Sequence, residues 1–153
     1  MQPHEILGRR DKADFPDLGL FDIDVKIDTG AYTSSIHCQN IEIIQSTSGQ
    51  HVRFNLLDPT HSAYDTKEFV LPLHQMKDVK SSSGEQENRV FIQTHIMLFG
   101  KLHSLELSLT NRSDMKYPVL LGRKLLKQGR FRVNVRYINR SYKLKMKSLQ
   151  KGK

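Results

Sequence analysis

Asp28, Thr29 and Gly30 stand in direct succession and are the residues of this chain best suited by type to acid–base chemistry. An apolar alternation, Val25 and Ile27, leads into them. Ala31 and three hydroxyl residues, Thr33, Ser34 and Ser35, follow. A strand ending on this tripeptide puts a carboxylate at the mouth of a turn, and the glycine lets a substrate or second chain approach the backbone with no Cβ in the way. One carboxylate does not easily both activate a water and protonate a leaving group. Two carboxylates held about 3 Å apart share a proton, because both cannot ionise together. The charged member then acts as base toward water, and the neutral one polarises a scissile carbonyl. The chain has one Asp-Thr-Gly. Alone, the tripeptide also fits an ordinary turn aspartate.

Other chemistries find less support. The seven histidines are scattered, and neither a His-Glu-x-x-His nor a Cys-x-x-Cys pattern occurs. His37 and Cys38 are adjacent, so on a strand they point to opposite faces, and His37 reads as a structural histidine rather than a metal ligand. No Gly-x-x-x-x-Gly-Lys-Ser/Thr phosphate loop is present. The expectation is therefore no metal and no cofactor.

The elements that position these residues belong to a chain of 153 residues, long enough for one domain with a real core. The composition, 37% hydrophobic and 26% charged, is that of a soluble globular protein. No apolar run approaches the roughly 18 residues of a membrane span, and the first ten residues carry no apolar leader. A single cysteine, Cys38, allows no internal disulfide and suits a reducing compartment. A cytoplasmic protein without a membrane partner is expected. The charge is unevenly placed: from Met115 onward there are 13 Lys and Arg and no acids, within a net charge of +8. A one-signed final quarter suggests an acidic partner, or a solvated basic tail.

Period-2 alternation places a strand over Leu20–Ile27, feeding Asp28. Further strands are expected over Ile36–Ile44, His51–Leu57 and Glu68–Leu73, with Asp58-Pro59 as a breaker. Ser81–Asn88 reads as a mobile loop or hairpin tip, a candidate lid. Arg89–Leu98 and Leu102–Leu109 alternate on either side of Gly100 and form a hairpin. Tyr117–Leu121 is a short apolar run stopped by Gly122. Arg123–Gln128 has helical composition and ends at Gly129. Phe131–Ile138 is a final alternating strand. About eight short strands and one short helix suggest a sandwich or barrel. Residues 1–138 form the domain, and residues 139–153 a basic tail.

Two features distant in sequence, Ile27-Asp28-Thr29-Gly30-Ala31 and Val119-Leu120-Leu121-Gly122-Arg123 with its helix and strand, together resemble the retropepsin-like aspartic peptidases. More of the chain is similar to a bacterial family known as ATP-dependent zinc proteases, often associated with an ATP-grasp enzyme that ligates glutamates onto ribosomal protein S6. The matching segments are LGRRDKADFPDLGL, KIDTGAYTSSIH, SSGEQENRVFI, LTNRSDMKYPVLLGR and FRVNV, from Leu7 to Val135. The family usually has tryptophans near the first segment, where this chain has Arg9 and Arg10. It usually has Val-Asp in the last strand, where this chain has Val133-Asn134.

The resemblance implies an all-β, closed retropepsin-like barrel with one short C-terminal helix. It implies an aspartic endopeptidase in which Asp28, Thr29 and Gly30 are catalytic and Ala31, Leu120, Leu121, Gly122 and Arg123 support them. With one Asp-Thr-Gly per chain, it implies a homodimer whose two-fold axis runs between two Asp28 side chains. The link to glutamate ligation implies an acidic peptide or protein substrate, for which Arg89, Arg112, Arg123 and the basic C-terminal quarter are the candidate docking field. For Arg112 and Arg123, ion pairs that hold loops or the dimer are the competing role. The zinc and ATP of the family label have no motif here. Two other readings compete with catalysis: a retropepsin-like module that binds a partner protein without turnover, and RNA or ribosome binding through the basic C-terminus. Tyr137 and Tyr142 lie among those bases, but no RNA-binding motif does, so nucleic acid is not the expected partner.

Overall fold

The computed structural model describes residues 4–80, 84–111 and 116–151. These form eleven strands and two α-helices: β1 (Ile6–Leu7), β2 (Arg10–Phe15), β3 (Leu20–Ile27), β4 (Ser34–Ser46), β5 (Gly49–Leu56), β6 (Glu68–Pro72), β7 (Gln75–Lys80), β8 (Gln86–Leu98), β9 (Lys101–Thr110), β10 (Val119–Leu121), α1 (Arg123–Gln128), β11 (Arg132–Val133) and α2 (Arg140–Lys151). The fold is mostly β. Among the described residues no helix is long and apolar enough to cross a membrane.

The chain divides into two compact units, the first made by residues up to Ser34, Thr94–Leu105 and from Tyr117 onward. In it, β3 lies between antiparallel β2 and parallel β10, with Val119, Leu120 and Leu121 opposite Val25, Lys26 and Ile27. The alternation seen in sequence is realised: Ile23, Val25 and Ile27 point inward, and Asp24 and Lys26 outward. Ala13, Phe15, Val119, Leu121, Leu125 and Leu126 of the same unit are also buried. Each large apolar side chain so buried contributes about 1.5–3 kcal/mol. The second unit, Ser35–Gln93 with Glu106–Lys116, holds the antiparallel ribbon β4–β5–β6 and the hairpin β7–β8. Phe54, Leu56, Leu57, Phe91 and Leu107 are buried there.

Several elements differ from the sequence expectation. β1, β2 and β7 were not anticipated. In β2 the inward positions are Asp11, Ala13 and Phe15, so a buried charge breaks the apolar alternation. The expected strand Phe131–Ile138 contracts to Arg132–Val133, because its parallel partner β1 is only two residues long. Beyond it the chain turns on Asn134, whose carboxamide oxygen accepts the Arg136 amide and whose carbonyl accepts the Tyr137 amide. Of the expected loop at Ser81–Asn88, residues 81–83 lie outside the described residues, and Gln86, Glu87 and Asn88 already belong to β8. The expected helix appears as α1. A second helix, α2, occupies residues expected as tail. The Asp11 carboxylate accepts the Ser141 and Tyr142 amides at the start of α2, and Lys145 bonds Asp14 and Asp22.

Candidate active site

The candidate site lies within the first unit, where the end of β3 passes beside the end of β10. The Asp28 amide donates to the Leu121 carbonyl at 2.9 Å, one residue beyond the paired strands. The turn then closes on its own carboxylate: the Gly30 amide donates to Asp28 Oδ1 at 3.0 Å, and the Ala31 amide to the Asp28 carbonyl at 3.3 Å. This Asx turn fixes the direction of the side chain. Asp28 is half-buried, while Thr29 and Gly30 are exposed. The carboxylate is thus held in place from below and open from above.

The opposite wall is the Leu120–Arg123 segment. Leu121 and Gly122 are buried and Leu120 is half-buried. The Gly122 amide donates to Ser34 Oγ at 3.0 Å, and the amides of Arg123 and Lys124 donate to the carbonyls of Ala31 and Tyr32 at 2.8 and 3.0 Å. A Cβ at Gly122 would lie 2.6 Å from the Thr33 carbonyl oxygen, a distance backbone cannot yield to cheaply. Only glycine allows the two segments to come this close. The Arg123 side chain adds a hydrogen bond from Nη1 to the Thr29 carbonyl, 2.9 Å, with its guanidinium 5.8 Å from the centre of the Tyr32 ring.

Asp28, Thr29, Gly30 and Ala31 are therefore brought together with Leu120, Leu121, Gly122 and Arg123. Arg123 braces the loop rather than standing free of it. Ser34 sits among the three hydroxyl residues of the motif, and its tie to Gly122 was not assigned from sequence. The signal that could have found it is a buried hydroxyl beside a glycine whose amide begins a helix without a capping side chain. Arg89 belongs to the second unit, on β8, and pairs with Glu87 at 3.3 Å. Arg112 lies outside the described residues.

In the second unit, His37 Nε2 lies 2.7 Å from Asp58 Oδ2, both side chains being buried. Asp58 Oδ1 accepts the Thr60 amide at 2.9 Å and the Thr60 hydroxyl. The Thr60 hydroxyl is the main reason the Asp58 carboxyl is held below its ordinary range, with the Thr60 amide and His37 adding to it. Cys38 is fully buried, and burial pushes its thiol far above the ordinary range. Among the described residues no group of three or more His, Cys, Asp or Glu is arranged to hold a metal ion.

The model of one protein family, the retropepsin-like aspartic endopeptidase RimB, matches residues 6–141. Two curated relatives carry the name "Probable alpha-L-glutamate ligase". The protein from Shewanella pealeana is 36% identical over 125 residues, and that from Desulfotalea psychrophila is 34% identical over 122. The matched regions cover 79% and 80% of this chain but only 26% of each relative, so the chain spans about a quarter of their length. Among solved structures, the crystal structure of Lpg0085 from Legionella pneumophila, described as of unknown function, superposes with a TM-score of 0.72 at 26% identity. The match covers 91% of this chain and 99% of that one.

Proposed function

This chain belongs to the RimB-like family of retropepsin-like aspartic endopeptidases, and from that premise we propose that it is an aspartic endopeptidase working as a homodimer on acidic, glutamate-rich peptide segments. The observation that carries the reading is the seating of Asp28. Its carboxylate accepts the Gly30 amide, its backbone amide is held by the Leu121 carbonyl, and the residue is half-buried with Thr29 and Gly30 exposed beside it. The names of the relatives, glutamate ligases, favour a glutamate-rich substrate. The closed barrel of the resemblance is part of this reading.

In the proposed dimer the two Asp28 carboxylates face each other across the two-fold axis and share one proton. The ionised carboxylate takes a proton from water as its oxygen attacks the scissile carbonyl carbon. The protonated carboxyl hydrogen-bonds to the carbonyl oxygen, where charge builds. The tetrahedral intermediate collapses as the carboxyl that took the water proton gives it to the leaving nitrogen and the C–N bond breaks. Thr29, exposed beside Asp28, is available to hydrogen-bond with its counterpart and tie the two loops. Arg123, tethered to Thr29, keeps each loop in register.

The test is an Asp28→Asn variant assayed on oligoglutamate-tailed peptides alongside the wild type. The expected result is loss of cleavage with the fold intact. Equal cleavage by both proteins overturns the reading. So does a wild type that stays monomeric in sedimentation, which favours a binding module without turnover.

A further inference from the structure

Away from Asp28, two cavities of the first unit, of about 360 and 320 Å³, share Glu5 and Phe99 in their walls and so adjoin. Lys101 and Arg130 line one. Arg140, Lys143 and Lys147 line the other, from successive turns of one face of α2. Five cations thus converge on a trough with one carboxylate. Such a concentration of one sign raises the local density of anions. A solvated basic helix face would account for the lysines of α2. It does not account for a recess walled on its other side by residues of the β8–β9 turn and of the end of α1.

That wall includes strained backbone. Phe99 and Gly100 join β8 to β9 with φ of 52° and 72°, both in the left-handed region. The first position of such a turn normally takes Asn, Asp or Gly, and a bulky residue there is an outlier. The Phe99 amide donates to Ser141 Oγ of α2 at 2.9 Å, which ties the strained turn to the basic helix. Strain that the surroundings hold in place collects where a side chain must be aimed. Here it puts an aromatic ring in the shared wall.

We propose that this trough is a docking site for an acidic peptide, separate from the Asp28 loop, in which glutamate methylenes lie against Phe99 and glutamate carboxylates meet the surrounding cations. The proposal rests on the peptidase reading for its substrate class but not for its location. Lys143 and Lys147 are one helical turn apart, about 6 Å along the axis. Alternate side chains on one face of an extended peptide repeat at about 6.6 Å. The Arg140 guanidinium is already held in place, its Nε donating to the Ile6 carbonyl and its Cζ 4.7 Å from the Tyr137 ring centre. A peptide fits better than single-stranded nucleic acid because the rings present are packed on one another. Phe99 lies 6.0 Å from Phe131, and Phe131 lies 5.2 Å from His103, so they do not form the open stacking platform that bases use. α1 connects the two sites: Gly122 and Arg123 at its start hold the Asp28 loop, and Gln128, Gly129 and Arg130 at its end line the trough.

The experiment measures binding of a fluorescent oligoglutamate peptide by anisotropy in the full chain carrying Asp28→Asn, so that binding is read without turnover. Adding Lys143→Glu and Lys147→Glu is expected to raise the Kd about tenfold or more, and Lys143→Gln with Lys147→Gln to raise it less. A control pair, Lys67→Glu with Lys80→Glu, makes the same change in net charge in the second unit. An equal loss in the control, or no loss in the α2 variants, overturns the proposal. Tighter binding of an oligouridylate than of oligoglutamate, lost in the α2 variants, overturns it in favour of nucleic acid. A wild type that binds oligoglutamate through α2 but cleaves nothing upholds the docking site and rejects the peptidase reading, so the two fail separately.

Discussion

Asp28 in the first unit and Asp58 in the second make the same local turn. In each, Oδ1 accepts the amide two residues on, from Gly30 at 3.0 Å and from Thr60 at 2.9 Å. They differ in what else reaches the carboxylate. Asp58 also receives the Thr60 hydroxyl and lies 2.7 Å from His37, so both its oxygens are engaged in a buried cluster. At the matching position beside Asp28 stands glycine, which brings an amide and nothing more. A carboxylate satisfied on every side holds structure together. One fixed on a single side keeps lone pairs for a water, a second carboxylate or a substrate.

The largest expected effect breaks the two apart. Asp28→Asn should lower kcat on an oligoglutamate-tailed peptide by about 10³-fold or more, while its urea midpoint stays near that of the wild type. Asp58→Asn should do the opposite, lowering the urea midpoint while the folded fraction keeps its kcat. The Asp58 carboxyl is held below its ordinary value of 3.8. Its stabilising contribution is therefore complete above that value and lost as pH falls through the depressed one. The gap between wild type and Asp58→Asn should be level at neutral pH and close only in strong acid. A gap that stays open there would show that the carboxylate charge is not what the cluster uses.

Next comes Gly122→Ala, which removes no catalytic side chain. Its Cβ would meet the Thr33 carbonyl at 2.6 Å, so the Asp28 loop and the start of α1 must part. A displacement of about 1 Å at a reacting group costs about 10²-fold in rate, and crowding of this kind about 1–3 kcal/mol in stability. Comparable stability loss with unchanged kcat would show that the Asp28 loop works without the close approach of Gly122 to Thr33.

How far the sequence foretold this arrangement differs between elements for physical reasons. β3 was legible because Ile23, Val25 and Ile27 alternate with charged residues on a strand with one face buried. α1 was legible in both its limits, since glycines flank six helix-compatible residues. The pairing of the Asp28 and Gly122 segments came from their joint resemblance to a known family, not from periodicity. β2 was hidden because the buried position between Arg10 and Lys12 is an aspartate, whose partners lie 130 and 131 residues away in sequence. The same distance hid α2, whose docking depends on that aspartate and on Lys145 meeting Asp14 and Asp22. Nothing local marks a charge as buried when its partners come from the far end of the chain.

Asp11 is a third aspartate, and it sharpens the contrast at smaller magnitude. It is satisfied by backbone amides, like a helix cap supplied from another strand. Asp11→Ala should cost about 1–2 kcal/mol, the usual worth of a cap. Burial raises the Asp11 carboxyl above its ordinary value, against the pull of the Ser141, Lys12 and Tyr142 amides and of Arg140. Its sign is thus opposite to that of Asp58: the linked stability is complete below 3.8 and lost as pH rises through the raised value. Asp11→Asn, neutral but still an acceptor, should be milder than Asp11→Ala in neutral urea titrations. If the two are equal, the carboxylate's hydrogen bonds are not what anchors α2.

Arg123 carries the smallest expected effect and the finest distinction. It is exposed, and its backbone amide already holds the Ala31 carbonyl, so its side chain is one tether among several on the Asp28 loop. Removing it in Arg123→Ala should change stability by less than about 0.5 kcal/mol and lower kcat a few-fold. Arg123→Lys, which can still donate to the Thr29 carbonyl, should recover part of that loss. If Arg123 holds the loop, kcat falls and KM does not, because the defect lies in how Asp28 is presented to the reacting bond. If it instead grips an acidic substrate, KM rises for oligoglutamate peptides and not for uncharged ones. The bond of 2.9 Å to Thr29 favours the first outcome, and with it the view that what separates Asp28 from Asp58 is the set of neighbours that hold the turn while leaving the carboxylate free.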